Sequence, residues 1–224
     1  NIRNFFLHKS VSNLVSIENE LNSSSNFDFR PNIIAVTKTF SINIFKPLID
    51  HGHLHFGENK VQEAVDKWTQ IKNHKKDLKL HMIGKLQSNK VKYVIPLFDY
   101  IHSLDNLKLA EKISSEQKKF NKSLKIFIQV NIGDEDQKSG INKNQLQSFY
   151  KDCVNELGLD IIGLMCIPPV NGDMNFYFSS MNELKKLLGL YHLSMGMSSD
   201  YLNAAKHGST FVRIGSKIFG ERKT

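Results

Sequence analysis

The feature that most constrains the fold is a recurring apolar run, each copy followed by a helix-like period. The runs are IIAVT (33–37), LHF (54–56), LHMIG (80–84), YIHSL (100–104), KIFIQVNI (125–132), IIGLMCI (161–167), YHLSMG (191–196) and FVRIG (211–215), eight in all. Most are near-continuously apolar rather than alternating, the mark of parallel strands covered on both faces. The segments between them place apolar residues at i, i+3 and i+4. Val61, Ala64, Val65, Trp68 and Ile71 share one side of ENKVQEAVDKWTQI. Leu107, Ala110 and Ile113 follow the fourth run, and Leu146, Phe149, Cys153 and Leu157 the fifth. After the seventh, SSDYLNAAKHG opens on good N-cap residues and closes on Gly208. A further stripe, Leu7, Val11, Leu14 and Leu21, precedes the first run. Eight strand–helix units predict an α/β fold, a (β/α)8 TIM barrel with an additional N-terminal helix, as a single domain over residues 1–224. A doubly wound open sheet is the second possibility. The polar loop NSSSNFDFRPN (22–32) is the expected flexible connection.

Hydrophobic residues make up 40% of the chain, enough for a barrel core. No apolar run approaches membrane-spanning length, and no secretory leader is visible. Cys153 and Cys166 have no metal-site spacing, so two buried, reduced thiols in a cytoplasmic protein and no metal are expected. The net charge of +8 raises the question of an acidic partner. The lysines are scattered over outer helix faces, however, without the basic–aromatic interleaving of single-strand binders. Nucleic acid and membrane are therefore not expected partners, and a monomer is expected.

In such a barrel, chemistry collects where strands finish. Lys38 finishes the first run, where partial burial lowers an amine pKa and makes it nucleophilic. LSMGMSSD turns through Gly196 towards Ser198 and Ser199, and VRIGSKIFG through Gly215 and Ser216. Each turn offers backbone N–H groups and hydroxyls to an anion, and barrels commonly bind phosphate after strands seven and eight. Ordinary Ser-capped turns, and a lysine whose head reaches past the rim to water, are the plainer alternatives. A phosphate opposite a lysine amine fits a phosphorylated aldehyde held as a Schiff base, with pyridoxal 5′-phosphate the leading candidate.

The motifs AVTK (35–38), FGENKVQEAVDK (56–67), HMIGKLQSNK (81–90), IHSLD (101–105), QVNIGDEDQKSGI (129–141), GLMCIP (163–168) and LSMGMSSDYLNAAKHGSTFVRIGSKIFGER (193–222) carry a resemblance. In their order and number the chain resembles the pyridoxal phosphate homeostasis proteins, single-domain relatives of the alanine racemase barrel. The resemblance implies a Schiff base on Lys38, Arg213 facing the pyridine nitrogen, and a phosphate cradle of Ser198 with the backbone of Gly215 and Ser216. It also implies Asn59 near the cofactor and Met165 packing near the ring, although for Met165 a place in the plain core is the alternative the residue type favours. Glu58 is expected as a structural hydrogen-bonder. Lys90, Lys92 and Lys138 are expected to be solvated, although Lys138 lies in the family's KSGI motif near the mouth. Between Pro168 and Tyr191 the family usually carries a longer connection than the PPVNGD loop and MNFYFSSMNELKKLLGL found here.

Three functional classes follow: a protein that holds and hands over pyridoxal phosphate, a racemase or related amino-acid enzyme, and a basic nucleic-acid scaffold. The family's racemases use the Schiff-base lysine and a tyrosine supplied across a dimer from a C-terminal β-domain. Here the chain ends nine residues after Gly215, so that domain is expected to be absent. Arg213 against the pyridine nitrogen also weakens carbanion chemistry, because a guanidinium does not give up a proton. A non-catalytic carrier or buffer, delivering to cofactor-dependent apo-enzymes, is the expectation. A weakly active racemase-like enzyme is the alternative.

Overall fold

The computed structural model describes residues 7–24, 29–136 and 139–222. Its strands are β1 (Asn32–Val36), β2 (His55–Glu58), β3 (Lys79–Met82), β4 (Tyr100–Leu104), β5 (Lys125–Gln129), β6 (Asp160–Met165), β7 (His192–Ser194) and β8 (Phe211–Ile214). All pair in parallel in chain order, and β8 returns to β1 with Ile34 opposite Arg213, closing the barrel. The closed ring excludes the open doubly wound sheet.

The helices are α1 (Lys9–Ser23), α2 (Ile42–His51), α3 (Val61–His74), α4 (Val91–Val94), α5 (Leu107–Phe120), α6 (Lys143–Lys151), α7 (Met174–Leu187), α8 (Tyr201–Lys206) and α9 (Ser216–Phe219). The additional N-terminal helix is α1, packed against α2 and α9. Its buried stripe is Val11, Leu14, Ile17 and Leu21, whereas Leu7 lies before the helix and is exposed. Helix α2 had no sequence-based expectation. Pro47 interrupts its pattern, yet it still buries Phe45, Leu48 and Ile49. On α5, Leu107 is exposed and the buried face begins at Leu109. Beyond α6 a wide turn over Asp152–Glu156 carries the buried Cys153. The shorter connection before Tyr191 still builds a full α7, capped by Asp173, whose carboxylate accepts from the Asn175 and Phe176 amides. Of the loop expected over 22–32, α1 takes the first residues, β1 begins at Asn32, and 25–28 lie outside the described residues.

Several apolar runs overshoot their strands, because the residues after a strand stay buried while leaving the ladder. β1 stops at Val36, β5 at Gln129, and β7 spans only His192–Ser194. The outer faces of the strands and the helices form one large aliphatic and aromatic core. A second, smaller cluster lies inside the barrel: Ile34, Tyr100, Phe127, Met165 and Phe211.

Candidate functional site

Lys38 sits two residues beyond β1, in a loop whose backbone is pinned from below. The Thr37 hydroxyl donates to Glu58 Oε1 at 2.7 Å, and the Trp68 indole N–H donates to the same oxygen at 3.0 Å. Lys67 Nζ lies 2.6 Å from that oxygen and donates to the Thr37 and Phe40 carbonyls at 2.7 and 3.0 Å. The Thr39 amide donates to Glu63, and Thr39 takes the left-handed backbone, φ 67°. Glu58, fully buried, is thus a structural clasp between β1, β2 and α3. The anchoring leaves the Lys38 side chain half-buried while its backbone is held. Desolvation, with the Arg222 guanidinium, pulls the Lys38 amine below the ordinary lysine range against the opposing charge of Glu63.

Arg213 rises from β8 into the barrel and is 4% exposed. It donates to Ser194 Oγ at 2.6 Å and to the Cys166 carbonyl at 2.9 Å. Both acceptors are neutral, and no carboxylate pairs with it among the described residues. A buried cation held only by neutral acceptors is costly unless something else shares its charge. Burial pulls its pKa down, with Asp200 partly opposing.

The two Gly-Ser turns come together at this mouth. Gly196 takes φ 98°, and a Cβ there would lie 2.6 Å from the Ala204 methyl, so the β7 turn closes only on glycine. Ser198 and Ser199 lie in that turn ahead of α8, not at its first residues. Asp200 is the flanking residue, and its carboxylate accepts from the Met197 amide instead of capping the helix. Ser198 Oγ accepts from the Lys217 amide at 3.2 Å, linking the β7 turn to the start of α9. On the other side, the loop after β3 packs so closely on Asn59 that a Cβ on Gly84 would lie 2.3 Å from the Asn59 carbonyl. Asn59 Oδ1 is buried without a hydrogen-bond partner.

One cavity of about 470 Å3 is lined by all six residues expected at the site: Lys38, Asn59, Ser198, Arg213, Gly215 and Ser216. Val36, Ile83, Ile167, Met197, Ser199 and Arg222 complete it. Met165 does not line it. That side chain is fully buried in the inner cluster, and Ile167, two residues on and partly exposed, takes the rim position. Sequence reasoning missed Arg222, although it closes the last motif. Its Nε donates to the Lys38 carbonyl at 3.3 Å and its guanidinium lies 5.6 Å from the Phe40 ring centre. The available signal was a late arginine directly after the Gly-Glu of that motif. The ammonium groups of Lys90 and Lys92 lie over the exposed Tyr93 ring. Lys138 lies outside the described residues.

An apolar floor, a depressed amine, a buried guanidinium and hydroxyls on two turns suit a small anionic ligand with an electrophilic carbon. Comparisons with known proteins agree. The family model of the alanine racemase N-terminal domain matches residues 15–223. The pyridoxal phosphate homeostasis protein of Aquifex aeolicus is 37% identical over 200 residues, spanning 85% of this chain and 87% of that protein. Its counterpart in Haemophilus influenzae is 38% identical over 204 residues, spanning 85% and 84%. The solved structure of PipY from Synechococcus elongatus with pyridoxal phosphate bound is 32% identical, with a TM-score of 0.82 over 94% of this chain and all of that one. Alanine racemase from Corynebacterium glutamicum shares the fold at 13% identity, TM-score 0.68, over 97% of this chain and 62% of its own.

Proposed function

The chain belongs to the alanine racemase N-terminal-domain family and, within it, to the pyridoxal phosphate homeostasis proteins. On that premise we propose that it binds pyridoxal 5′-phosphate as a Schiff base on Lys38 and serves the homeostasis of that cofactor as carrier, buffer and donor. The observation that carries this reading is the pairing, across one cavity, of a half-buried amine at Lys38 with a buried guanidinium at Arg213 that has no carboxylate partner among the described residues. The cofactor supplies an aldehyde for the amine, an acceptor nitrogen for the guanidinium, and a phosphate for the turns of Ser198, Gly215 and Ser216. Asn59 Oδ1, buried without a partner, offers an acceptor to a ligand hydroxyl.

The same residues argue against efficient turnover. Arg213 donates and does not release its proton, so the ring nitrogen stays unprotonated and the electron sink is weak. Among the residues lining the cavity, Lys38 is the only one able to serve as a general base, since none of the others is a tyrosine, histidine or carboxylate. Proton transfer on a second face of a bound amino acid lacks a donor there. The protein's task on this reading is to hold the aldehyde reversibly and release it to cofactor-dependent apo-enzymes, as a monomer. The two buried thiols, Cys153 and Cys166, suit a reducing cytoplasm. No helix among the described residues is long and apolar enough to cross a membrane.

The test is borohydride reduction of the loaded protein followed by peptide mapping. The fixed adduct is expected on the Lys38 peptide and absent from Lys38→Ala, whose fold survives. An adduct on another peptide would overturn the assignment. Loaded protein is also expected to reconstitute an apo-enzyme while exchanging the α-proton of alanine no faster than free cofactor. Robust racemisation would replace the carrier reading with the enzyme one.

A further inference from the structure

Beneath Arg213 the barrel interior holds an unusual row of side chains. Ser194 Oγ accepts from Arg213 at 2.6 Å and lies 2.8 Å from His102 Nδ1. His102 Nε2 lies 2.8 Å from His81 Nδ1, and His81 Nε2 lies 2.9 Å from His55 Nδ1. His81, His102 and Ser194 are fully buried. His55 reaches a separate cavity of about 380 Å3 that Arg30, Asn32, His51 and His53 also line. The row therefore runs through the barrel from one mouth to the other. Each imidazole presents Nδ1 upward and Nε2 downward. Tyr100 stacks on His81 with centroids 4.1 Å apart, and Phe127 on His102 at 4.3 Å, so neither ring is free to turn over.

The direction of the row follows from hydrogen-bond chemistry. A guanidinium only donates. Ser194 Oγ must accept from it, and the single hydroxyl proton then has one acceptor in reach, His102 Nδ1. A neutral imidazole that accepts at Nδ1 carries its proton on Nε2. His102 thus donates to His81 Nδ1, and His81 in turn donates to His55 Nδ1. Burial keeps His81 and His102 neutral. If any ring took the opposite tautomer, two donors or two bare lone pairs would meet in a dry interior, at the cost of an unmade buried bond.

We propose that Ser194, His102, His81 and His55 form one directional hydrogen-bond chain that positions Arg213, fixing all three imidazoles as Nε2–H tautomers and aiming the free guanidinium N–H groups into the cavity. Ser194 is the positioning residue that touches Arg213, and the histidines act through it. The part concerning the cofactor's ring nitrogen rests on the function proposed above, whereas the tautomers do not.

Nuclear magnetic resonance of histidine-labelled protein without cofactor tests the chain directly. His55, His81 and His102 are expected as neutral Nε2–H forms at neutral pH. An Nδ1–H form or an imidazolium at any of the three overturns the proposal. Titration with pyridoxal phosphate and with its 1-deaza analogue, in which carbon replaces the ring nitrogen, tests the positioning role. Ser194→Ala is expected to weaken pyridoxal phosphate roughly ten-fold and to leave the deaza analogue unchanged. Equal losses for both ligands, or no loss for either, would reduce Ser194 to packing. If Ser194→Ala does not fold, the tautomers in the parent protein still decide. Absence of a borohydride-fixed adduct from the parent protein would count against the cofactor reading alone, since the tautomer result needs no cofactor.

Discussion

Facing outward from the strands, Ala35, Phe56, Leu80, Met82, Ile101, Ile126, Leu164 and Val212 meet the helices in a mainly apolar core, whose chief polar feature is the Glu58 clasp beside Trp68. Facing inward, the same strands present His55, His81, His102, Ser194 and Arg213 among the rings of Tyr100, Phe127 and Phe211. The outer core is held by area removed from water, a non-directional force that accepts any well-packed apolar side chain. The inner one depends on direction, because each polar atom meets specific partners at set angles and becomes a penalty without them. The barrel thus separates the work of folding from the work of orienting a ligand group.

The largest expected effect is the response of the inner region to acid. Burial lowers His55 to about 4, and His81 and His102 lie well below the free value of 6.5. Between about pH 6.5 and 4 the unfolded chain therefore binds more protons than the folded one. The stability from these neutral rings is fully present above that window and is lost as pH falls through it. His55 alone accounts for about 3 kcal/mol, a large share of a usual folding free energy. Denaturant midpoints followed by Trp68 fluorescence should drop steeply from pH 7 to 5. A flat profile would erase the distinction between the two cores.

Next in size is a break in the outer core. Trp68→Ala removes a fully buried ring stacked on Phe45 at 5.0 Å, together with one donor to Glu58. A cost of about 3–5 kcal/mol is expected, with cofactor retention little changed in the molecules that remain folded. Proportionate loss of binding beyond the unfolded fraction would show that the Glu58 clasp reaches Lys38.

At the mouth, Ser198→Ala deletes a hydroxyl near the proposed phosphate position. Affinity for pyridoxal phosphate should fall roughly ten-fold, about 1.5 kcal/mol, with only a small change in unfolding midpoint from the lost, exposed bond to the Lys217 amide. Equal affinity by titration would move the phosphate elsewhere. The smallest effects sharpen the contrast. Ile101→Val in the outer core should cost about 1 kcal/mol, and Lys46→Ala, which breaks an exposed pair with Asp50 at 2.7 Å, within about 0.5 kcal/mol of nothing.

Much of this was legible in the chain. The eight apolar runs announced the barrel, because parallel strands covered on both faces leave little room for polar residues. Lys38, Ser198, Gly215 and Ser216 were legible because strand ends carry the chemistry of such a barrel, and Asn59 and Arg213 through the motifs around them. Arg222 was not, since nothing local says that a residue near the chain's end folds back over Lys38. The histidines were not either. His55, His81 and His102 are far apart in sequence, and each alone reads as one polar residue in an apolar run.

What the sequence by itself determined is the period of the elements, the apolar faces and the few residue types able to hold an aldehyde and a phosphate. These are local properties, carried by neighbours within a turn or a strand. What only the tertiary structure decided is the register that stacks three histidines under one arginine. It also decided where Arg222 lands and how Met165 yields the rim to Ile167. Those depend on the relative height of strands around a closed barrel, which every strand pairing sets jointly and no single segment records.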